Sequence, residues 1–213
     1  MRHIISQYLL VVCVLVLAAG CANKLYNASF YGDNIAVSTL LAEGVDVNSE
    51  GFYGGATSLM AASQNGHIDI VRILLANGAN VDAQRDEGQT ALIYATVHPD
   101  IVKLLLDAGA ETELKSILGH TALLYASTEG NTETVKALIE GGADIDVKDV
   151  ALDFTPLIYA SMNGHTDIVK ALIDAGADIN VKSKKLNITA LSIAIHNNHA
   201  ETVYFLRKAG ATK

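Results

Sequence analysis

The sequence predicts an all-α repeat solenoid, a stack of short helix pairs in which each pair packs on the next. A threonine-led tripeptide recurs at spacings of 33, 31, 34 and 34 residues, starting at Thr57, Thr90, Thr121, Thr155 and Thr189. A row of glycines keeps the same period, at Gly44, Gly78, Gly109, Gly142, Gly176 and Gly210. Two markers that keep one period indicate a single supersecondary unit repeated along an axis.

Within each unit the residues predict two helices joined by a glycine turn. The threonine hydroxyl can cap the first helix, and Pro156 stands at a first helical position, where a missing amide proton costs little. A turn glycine such as Gly164 ends this helix. The second helix carries apolar residues at helical spacing, for example Ile168, Val169 and Leu172. Neither helix can bury its apolar face alone, so neighbouring units are expected to supply the core.

The best-formed unit resembles the ankyrin repeat. Residues 164–173 read GHTDIVKALI and residues 176–180 read GADIN, which match the family's turn, second helix and closing segment almost letter for letter. The resemblance covers residues 25–213 and implies an ankyrin solenoid with β-hairpin fingers between the repeats. About six repeats are expected, including a fingerless N-terminal one and a C-terminal cap, over residues 25–50, 51–83, 84–114, 115–148, 149–182 and 183–213.

The chain departs from the family pattern at three kinds of position. The histidine that usually follows Thr-Pro-Leu and bonds the threonine is replaced by Met60, Ile93, Leu124, Ile158 and Ser192, so the array should depend more on apolar packing. The third repeat lacks two residues at its turn, where Pro99 predicts an early end to the first helix and a tighter corner. In the last repeat Asn198 replaces the turn glycine, a substitution that the left-handed conformation tolerates.

The first twenty residues predict a secretory signal. Arg2 is followed by an apolar run from Tyr8 to Ala19, which is short for a membrane span. Residues 17–21 read LAAGC and resemble the bacterial lipobox, in which the signal is cut before a cysteine that then carries diacylglycerol. We therefore expect cleavage before Cys21, lipidation of Cys21 and a short tether over residues 21–24. A plain signal peptide, or an uncleaved anchor with an incidental cysteine, is the alternative.

Localisation and charge follow from this segment. Ala22 rather than aspartate follows the cysteine, which resembles the sorting signal for the periplasmic side of the outer membrane. Without residues 1–20 the chain has 14 Lys and Arg against 23 Asp and Glu, a net charge of −9. Such acidity argues against nucleic-acid binding, which requires a basic face. It also keeps an elongated repeat protein soluble.

The sequence contains none of the common catalytic motifs. It has no Gly-x-Ser-x-Gly, no phosphate-binding loop and no His-Glu-x-x-His. His67, His165 and His199 recur at the turn in separate repeats, which stacking places too far apart to share a metal ion. We therefore predict a protein that is not an enzyme and that needs no cofactor or metal.

Binding to another protein is the function that the resemblance implies. Ankyrin arrays usually bind through their finger tips and through the exposed end of each inner helix. The finger residues expected to bind are Phe52, Tyr53, Asp86, Glu87, Gln89, Ile117, Leu118, His120, Leu152, Phe154, Lys185, Leu186 and Ile188. The inner-helix residues are Gln64, Asn65, Val97, His98, Thr128, Glu129, Met162 and Asn163.

Three successive fingers carry large apolar residues, which predicts an exposed apolar ridge formed by Ile117, Leu118, Leu152, Phe154 and Leu186. The alternative is that these side chains pack on each other or on the helices. The expected protein is a monomer that binds one partner, either as an inhibitor or immunity protein or as a scaffold for a periplasmic enzyme. A structural envelope protein that binds cell-wall polymer through Phe52, Tyr53 and Phe154 is the alternative function.

Overall fold

The computed structural model describes residues 24–51 and 54–212, which form twelve helices in six consecutive pairs. The first helix, α1, spans residues 24–31. The others are α2 (Asn34–Ala42), α3 (Ser58–Gln64), α4 (Ile68–Ala76), α5 (Ala91–Tyr94), α6 (Pro99–Asp107), α7 (Ala122–Glu129), α8 (Thr132–Glu140), α9 (Pro156–Asn163), α10 (Thr166–Asp174), α11 (Ala190–His196) and α12 (Ala200–Lys208). The predicted all-helical repeat solenoid is confirmed. The signal segment and Cys21 lie outside the described residues.

The repeated threonines cap the first helix of each of the last five pairs, as predicted. Thr121 is typical, because its hydroxyl accepts the Leu124 amide at 3.4 Å. The position at which the family has histidine holds a buried apolar residue in some repeats and a residue that bonds the capping threonine in others. Leu124 and Ile158 are buried among apolar neighbours. Ser192 and Met60 instead accept the amide of the capping threonine, Ser192 Oγ from Thr189 N at 2.9 Å and Met60 Sδ from Thr57 N at 3.5 Å.

One hydrophobic core runs through all six pairs. Each helix contributes at least one fully or nearly fully buried aliphatic side chain: Leu25, Val37, Leu59, Leu74, Leu92, Leu105, Leu123, Leu138, Leu157, Leu172, Leu191 and Leu206. First helices pack on first helices and second helices on second helices along the stack. Because every layer is covered by its neighbours, no pair has a core of its own.

The turns between helices are linked from one repeat to the next by histidine rings. His165 lies over Gly130 of the preceding turn, and its Nε2 lies 3.1 Å from the Thr128 carbonyl oxygen. His67, His98 and His199 make the same contact with the carbonyls of Phe30, Gln64 and Met162. These four turn histidines therefore serve as structural contacts between repeats, including His98, which was predicted to bind a partner. Asn198 has a φ of +61°, so it takes the left-handed conformation expected of a turn glycine.

The third repeat has the shortened first helix that its sequence predicts. Helix α5 ends at Tyr94 and α6 begins at Pro99. No glycine turn precedes α6, and the next repeat bonds to this corner through Glu129, which accepts the Thr96 hydroxyl at 3.0 Å. A backbone bond from His98 N to Ala95 O at 2.7 Å closes this corner without a glycine, and the Thr96–Glu129 contact ties it to the next repeat.

The fingers are tight loops rather than extended hairpins. Among the described residues, antiparallel pairing is limited to isolated bridges, Glu50 with Thr57 and Lys182 with Thr189. These are the first and fifth fingers. The second closes from Arg85 N to Gln89 O at 3.1 Å and the third from Ser116 N to His120 O at 3.0 Å, each with one more backbone bond inside the loop, and the fourth closes from Asp149 N to Phe154 O at 3.1 Å. The expected β-hairpin fingers are therefore not seen in the described residues, because only three to six residues lie between the paired ends of a finger and leave no room for a ladder.

Candidate partner-binding surface

The finger tips carry four large apolar side chains exposed to solvent. Ile117, Leu118, Val150 and Leu186 are 48 to 70% exposed, and they lie on three successive fingers. We call these four residues the finger ridge. Isolated exposed apolar residues are common, but a contiguous row of them is typical of an interaction surface.

The finger ridge is continuous because the fingers contact one another. Ile117 N donates to Glu87 O at 2.9 Å, which joins the second finger to the third. Gly119 lies against Val150, whose backbone nitrogen would be 2.8 Å from a Cβ added there. Lys185 donates its ammonium to the carbonyls of Val150 and Ala151, and this joins the fourth finger to the fifth. The ridge is therefore presented on backbone that is fixed in place.

Two residues predicted for the ridge, Phe154 and Leu152, are buried or half-buried rather than exposed. Phe154 is only 2% exposed, so its expected place on the surface is wrong. It immediately precedes the capping Thr155, and its ring meets Tyr159 edge-on with centroids 5.4 Å apart. Leu152 is half-buried and packs against the core. Val150 was not among the residues predicted for the ridge, although it follows Asp149 as Ile117 follows Ser116.

The other residues predicted to bind a partner form an exposed group and a half-buried group. Those exposed to solvent are Gln64, Asn65, Asp86, Glu87, Val97, Glu129, Asn163 and Lys185, and those half-buried are Gln89, His98, His120, Thr128, Met162 and Ile188. Phe52 and Tyr53 lie outside the described residues. Several polar members already serve the fold, since Asn163 Nδ2 donates to Thr128 O at 2.9 Å and His98 contacts the Gln64 carbonyl. The inner-helix surface is therefore polar, with Val97 as its exposed apolar residue.

A buried carboxylate organises the fourth finger, the one that carries Val150. The Asp149 side chain is 0% exposed and accepts hydrogen bonds from Leu152 N at 3.0 Å, Phe154 N at 2.9 Å and Tyr159 Oη at 2.7 Å. His120 Nε2 lies 3.5 Å from the same carboxylate. No signal in the repeat pattern marks Asp149, because its partners are set by how the loop folds back.

These contacts determine the charge state of the finger. Burial alone would raise the pKa of Asp149, but the hydrogen bonds from Tyr159, Phe154 and Leu152, with His120 nearby, outweigh it and lower the pKa. Burial and the neighbouring Asp149 raise the pKa of the Tyr159 hydroxyl well above its ordinary value. Tyr159 therefore stays protonated as a donor, and the arrangement is a structural clamp.

Charge changes sign along the row of fingers. The second finger exposes Asp86 and Glu87, whereas the fifth exposes Lys182, Lys184 and Lys185. The finger ridge lies between these groups. A partner that covers the whole row would therefore meet carboxylates at one end and ammonium groups at the other.

Over residues 24–51 and 54–212, no group of three or more His, Cys, Asp or Glu side chains is placed to hold a metal ion. Within the same ranges no helix combines the length and apolar character needed to cross a bilayer. The turn histidines occupy different layers and each contacts its own carbonyl.

Comparison with known proteins agrees with the geometry. The family model for ankyrin repeats in three copies matches residues 25–116, 98–183 and 123–213. Similar segments occur in the E3 ubiquitin-protein ligase mind-bomb of Drosophila melanogaster, 41% identical over 54 residues, and in ankyrin repeat and KH domain-containing protein 1 of Homo sapiens, 47% identical over 55 residues. A third is in the E3 ubiquitin-protein ligase XBAT33 of Arabidopsis thaliana, 41% identical over 80 residues.

These matches are confined to repeat segments. They cover 25, 26 and 37% of this chain but only 4, 2 and 15% of the three relatives. The ankyrin fold is generally a protein-protein interaction module without enzymatic activity, and that coarse function applies here. With the family model matching nearly all of residues 25–213 and six helix pairs in one stack, the chain belongs to the ankyrin-repeat family.

Proposed function

We propose that this protein is a lipid-anchored envelope protein that binds one partner protein through its finger ridge and its concave face, the side formed by the exposed ends of the inner helices. The single observation that supports this function is the exposure of Ile117, Leu118, Val150 and Leu186 on three adjoining fingers. Burying such side chains in a partner removes apolar surface from water, which is the main source of favourable free energy in association. The fingers are held by contacts between repeats, so little ordering cost opposes binding.

The charge on the fingers sets the chemistry of the partner. A complementary partner would present an apolar strip to the finger ridge. Its flanking residues would be basic where they face Asp86 and Glu87 and acidic where they face Lys182 and Lys184. Such flanking charges speed and orient association more than they strengthen it. Two roles remain open on this surface, an inhibitor or immunity protein and a scaffold for a periplasmic enzyme. Of the three aromatic residues on which the cell-wall alternative depends, Phe154 is buried, and Phe52 and Tyr53 lie outside the described residues.

A site-specific photo-crosslinker tests the surface. A photoreactive phenylalanine analogue placed at Leu118 or Leu186 should capture one discrete protein in cell envelopes, identified by mass spectrometry. The same group at Tyr204, an exposed aromatic position on α12, is the matched control and should capture nothing comparable. Adding Val150→Asp to the Leu186 derivative should abolish capture without loss of helical circular dichroism. Equal capture from Leu186 and Tyr204 would exclude the finger ridge as the binding site.

We propose that Cys21 carries the lipid and places the protein at the outer membrane, facing the periplasm. The proposal is supported by the LAAGC segment and by the presence of only two cysteines, Cys13 within the predicted signal and Cys21. Cys21→Ser should leave an uncut precursor or release the protein from the membrane fraction. Cys13→Ser is the matched control and should fractionate normally. Unchanged processing and fractionation of Cys21→Ser would reject lipidation.

A further inference from the structure

A second apolar patch lies at the opposite end of the array from the fifth finger. Phe30, Tyr31 and Ile35 surround the turn between α1 and α2, where Tyr31 is 78% and Ile35 80% exposed. The rings of Phe30 and Tyr31 meet edge-on with centroids 5.2 Å apart. We call these three residues the N-terminal patch. Within the described residues it is separate from the finger ridge, which belongs to the third, fourth and fifth fingers.

The N-terminal patch makes the first end of the array more apolar than the last. The terminal repeats of a solenoid have one face that no neighbour covers, and this face is normally polar. Helix α12 follows the rule, since Glu201, Arg207 and Lys208 are exposed with Tyr204 as its one large exposed apolar residue. The N-terminal end instead presents the two most exposed large apolar side chains of the described chain. Such a patch indicates a surface that is covered in the working protein.

The position of the patch relative to Cys21 indicates what covers it. Lys24, Asn27 and Tyr31 are the exposed residues at positions i, i+3 and i+7 of α1, so they share one helix face. Cys21 precedes Lys24 by three residues, which reach at most ~10 Å when extended. Tyr31 lies ~10 Å from Lys24 along the helix axis. A lipid on Cys21 would therefore keep the start of α1 within ~10 Å of the bilayer, so that this face of the helix can reach it.

We propose that the N-terminal patch docks on the headgroup region of the bilayer, with α1 lying flat against it. This inference rests on the proposed lipid anchor. Tyrosine suits the membrane interface because its ring is apolar and its hydroxyl is polar, and Lys24 can extend its ammonium to lipid phosphates. Asp33 opposes docking by its charge, although its carboxylate is engaged by the Ala36 amide at 2.9 Å. Three side chains bind a membrane weakly alone, but a short tether gives them a high effective concentration.

Docking in this way orients the whole array. With the first helix pair on the bilayer, the stack axis points away from the membrane. Helix layers are ~10 Å apart, so the finger ridge, three to five layers further along, would stand ~30 to 50 Å from the surface. The N-terminal patch thus places the partner-binding fingers clear of the lipid headgroups.

Tryptophan fluorescence tests the docking directly, because the chain contains no tryptophan. A chain beginning at Cys21 keeps every described residue, and Cys21 is its only thiol, which can be coupled to maleimide lipid in phosphatidylethanolamine and phosphatidylglycerol vesicles. The Tyr31→Trp variant should show a blue shift and loss of emission when brominated lipids are included. The Tyr204→Trp variant, equally anchored, is the control and should show neither.

A second substitution distinguishes docking of the N-terminal patch from simple nearness of Tyr31 to the tethered lipid. Adding Ile35→Asp to the Tyr31→Trp variant should restore emission in brominated vesicles, with circular dichroism and thermal unfolding confirming that the array is folded. Equal quenching of both reporters, or quenching of neither, would overturn the proposal. A blue shift without lipid, together with a dimer in sedimentation, would assign the patch to a second copy of the chain instead. Because the coupling is chemical, these outcomes do not depend on whether cells lipidate Cys21.

Discussion

At the scale of single residues, Asp149 is the most constrained polar group in the described chain. Its buried carboxylate accepts two backbone amides and the Tyr159 hydroxyl, and together they shape the loop that exposes Val150. A buried charge costs free energy unless such bonds compensate it. The carboxylate therefore links the fold of the fourth finger to the surface proposed to bind a partner.

Replacing this carboxylate should alter stability in a pH-dependent way. The folded-state pKa of Asp149 is lowered, so its contribution is present above the ordinary carboxyl pKa of about 4 and is lost as pH falls through the folded value. Asp149→Asn should lower the free energy of unfolding by about 2 kcal/mol at pH 7. The difference from the parent protein should shrink below pH ~4. Urea unfolding followed by circular dichroism at a series of pH values measures both effects.

The comparison between variants matters because other carboxylates titrate in the same range. Burial raises the pKa of Asp146, and the charges of Asp178 and Asp144 add to the rise despite a hydrogen bond from the Asp178 amide. Asp146 therefore acts in the opposite sense to Asp149 as the solution becomes acidic. Asp107→Asn, on the exposed end of α6, is the control. A stability difference for Asp149→Asn that does not change with pH would contradict the assigned role.

At the scale of elements, the turn between paired helices is where a side chain of one repeat packs on the backbone of the repeat before it. Gly130 and Gly142 have nearly the same φ, +89° and +86°, but different surroundings. A Cβ on Gly130 would come within 2.7 Å of His165 Cε1, whereas nothing lies within 4 Å of a Cβ on Gly142. The first glycine is needed for both conformation and space, and the second for conformation alone.

This pair of glycines allows the two effects to be separated. Gly142→Ala should cost about 1 kcal/mol, the strain of a left-handed alanine. Gly130→Ala should cost ~1 to 3 kcal/mol more, because it also displaces the His165 ring. Adding His165→Ala should abolish that excess in a double-mutant cycle measured by thermal unfolding. Equal costs for the two alanines would show that the ring contact does not contribute.

At the scale of the whole molecule, stability is shared between neighbouring layers. Leu138 on α8 is fully buried between the second helices on either side, while Leu206 on α12 is buried in the last layer. In a one-dimensional stack each repeat is stabilised mainly by its nearest neighbours. A cavity in the middle should therefore loosen the array on both sides.

Hydrogen exchange should reveal this sharing. Leu138→Ala should cost about 3 kcal/mol and speed amide exchange in α6 and α10 as well as in α8. Leu206→Ala should speed exchange in α10 and α12 and leave α2 and α4 unchanged. Exchange confined to the substituted repeat in both variants would argue against a continuous stack. Mass spectrometry of peptic fragments has the resolution required.

Much of the architecture was predictable because its causes are local. The threonine caps follow from a side-chain hydroxyl that accepts a nearby amide, and the short α5 before Pro99 and the left-handed Asn198 follow from one residue's own backbone preference. The candidate surface was only partly predictable. Ile117, Leu118 and Leu186 are exposed as expected, whereas Phe154 turned inward and Val150 outward. Hydrophobicity alone does not say which apolar residue of a short loop faces the solvent.

By itself the sequence determined the ankyrin fold, the number and order of the helices, and a helical core that spans the repeats. Period, helix caps and turn residues act over a few neighbouring positions, so they can be interpreted without coordinates. Only the tertiary structure decided that Asp149 folds the fourth finger, that the fingers join into one ridge, and that Tyr31 and Ile35 are left uncovered. Asp149 depends on how its own loop folds back, whereas the ridge depends on contacts between residues about thirty positions apart, whose geometry is set when one repeat packs on the next.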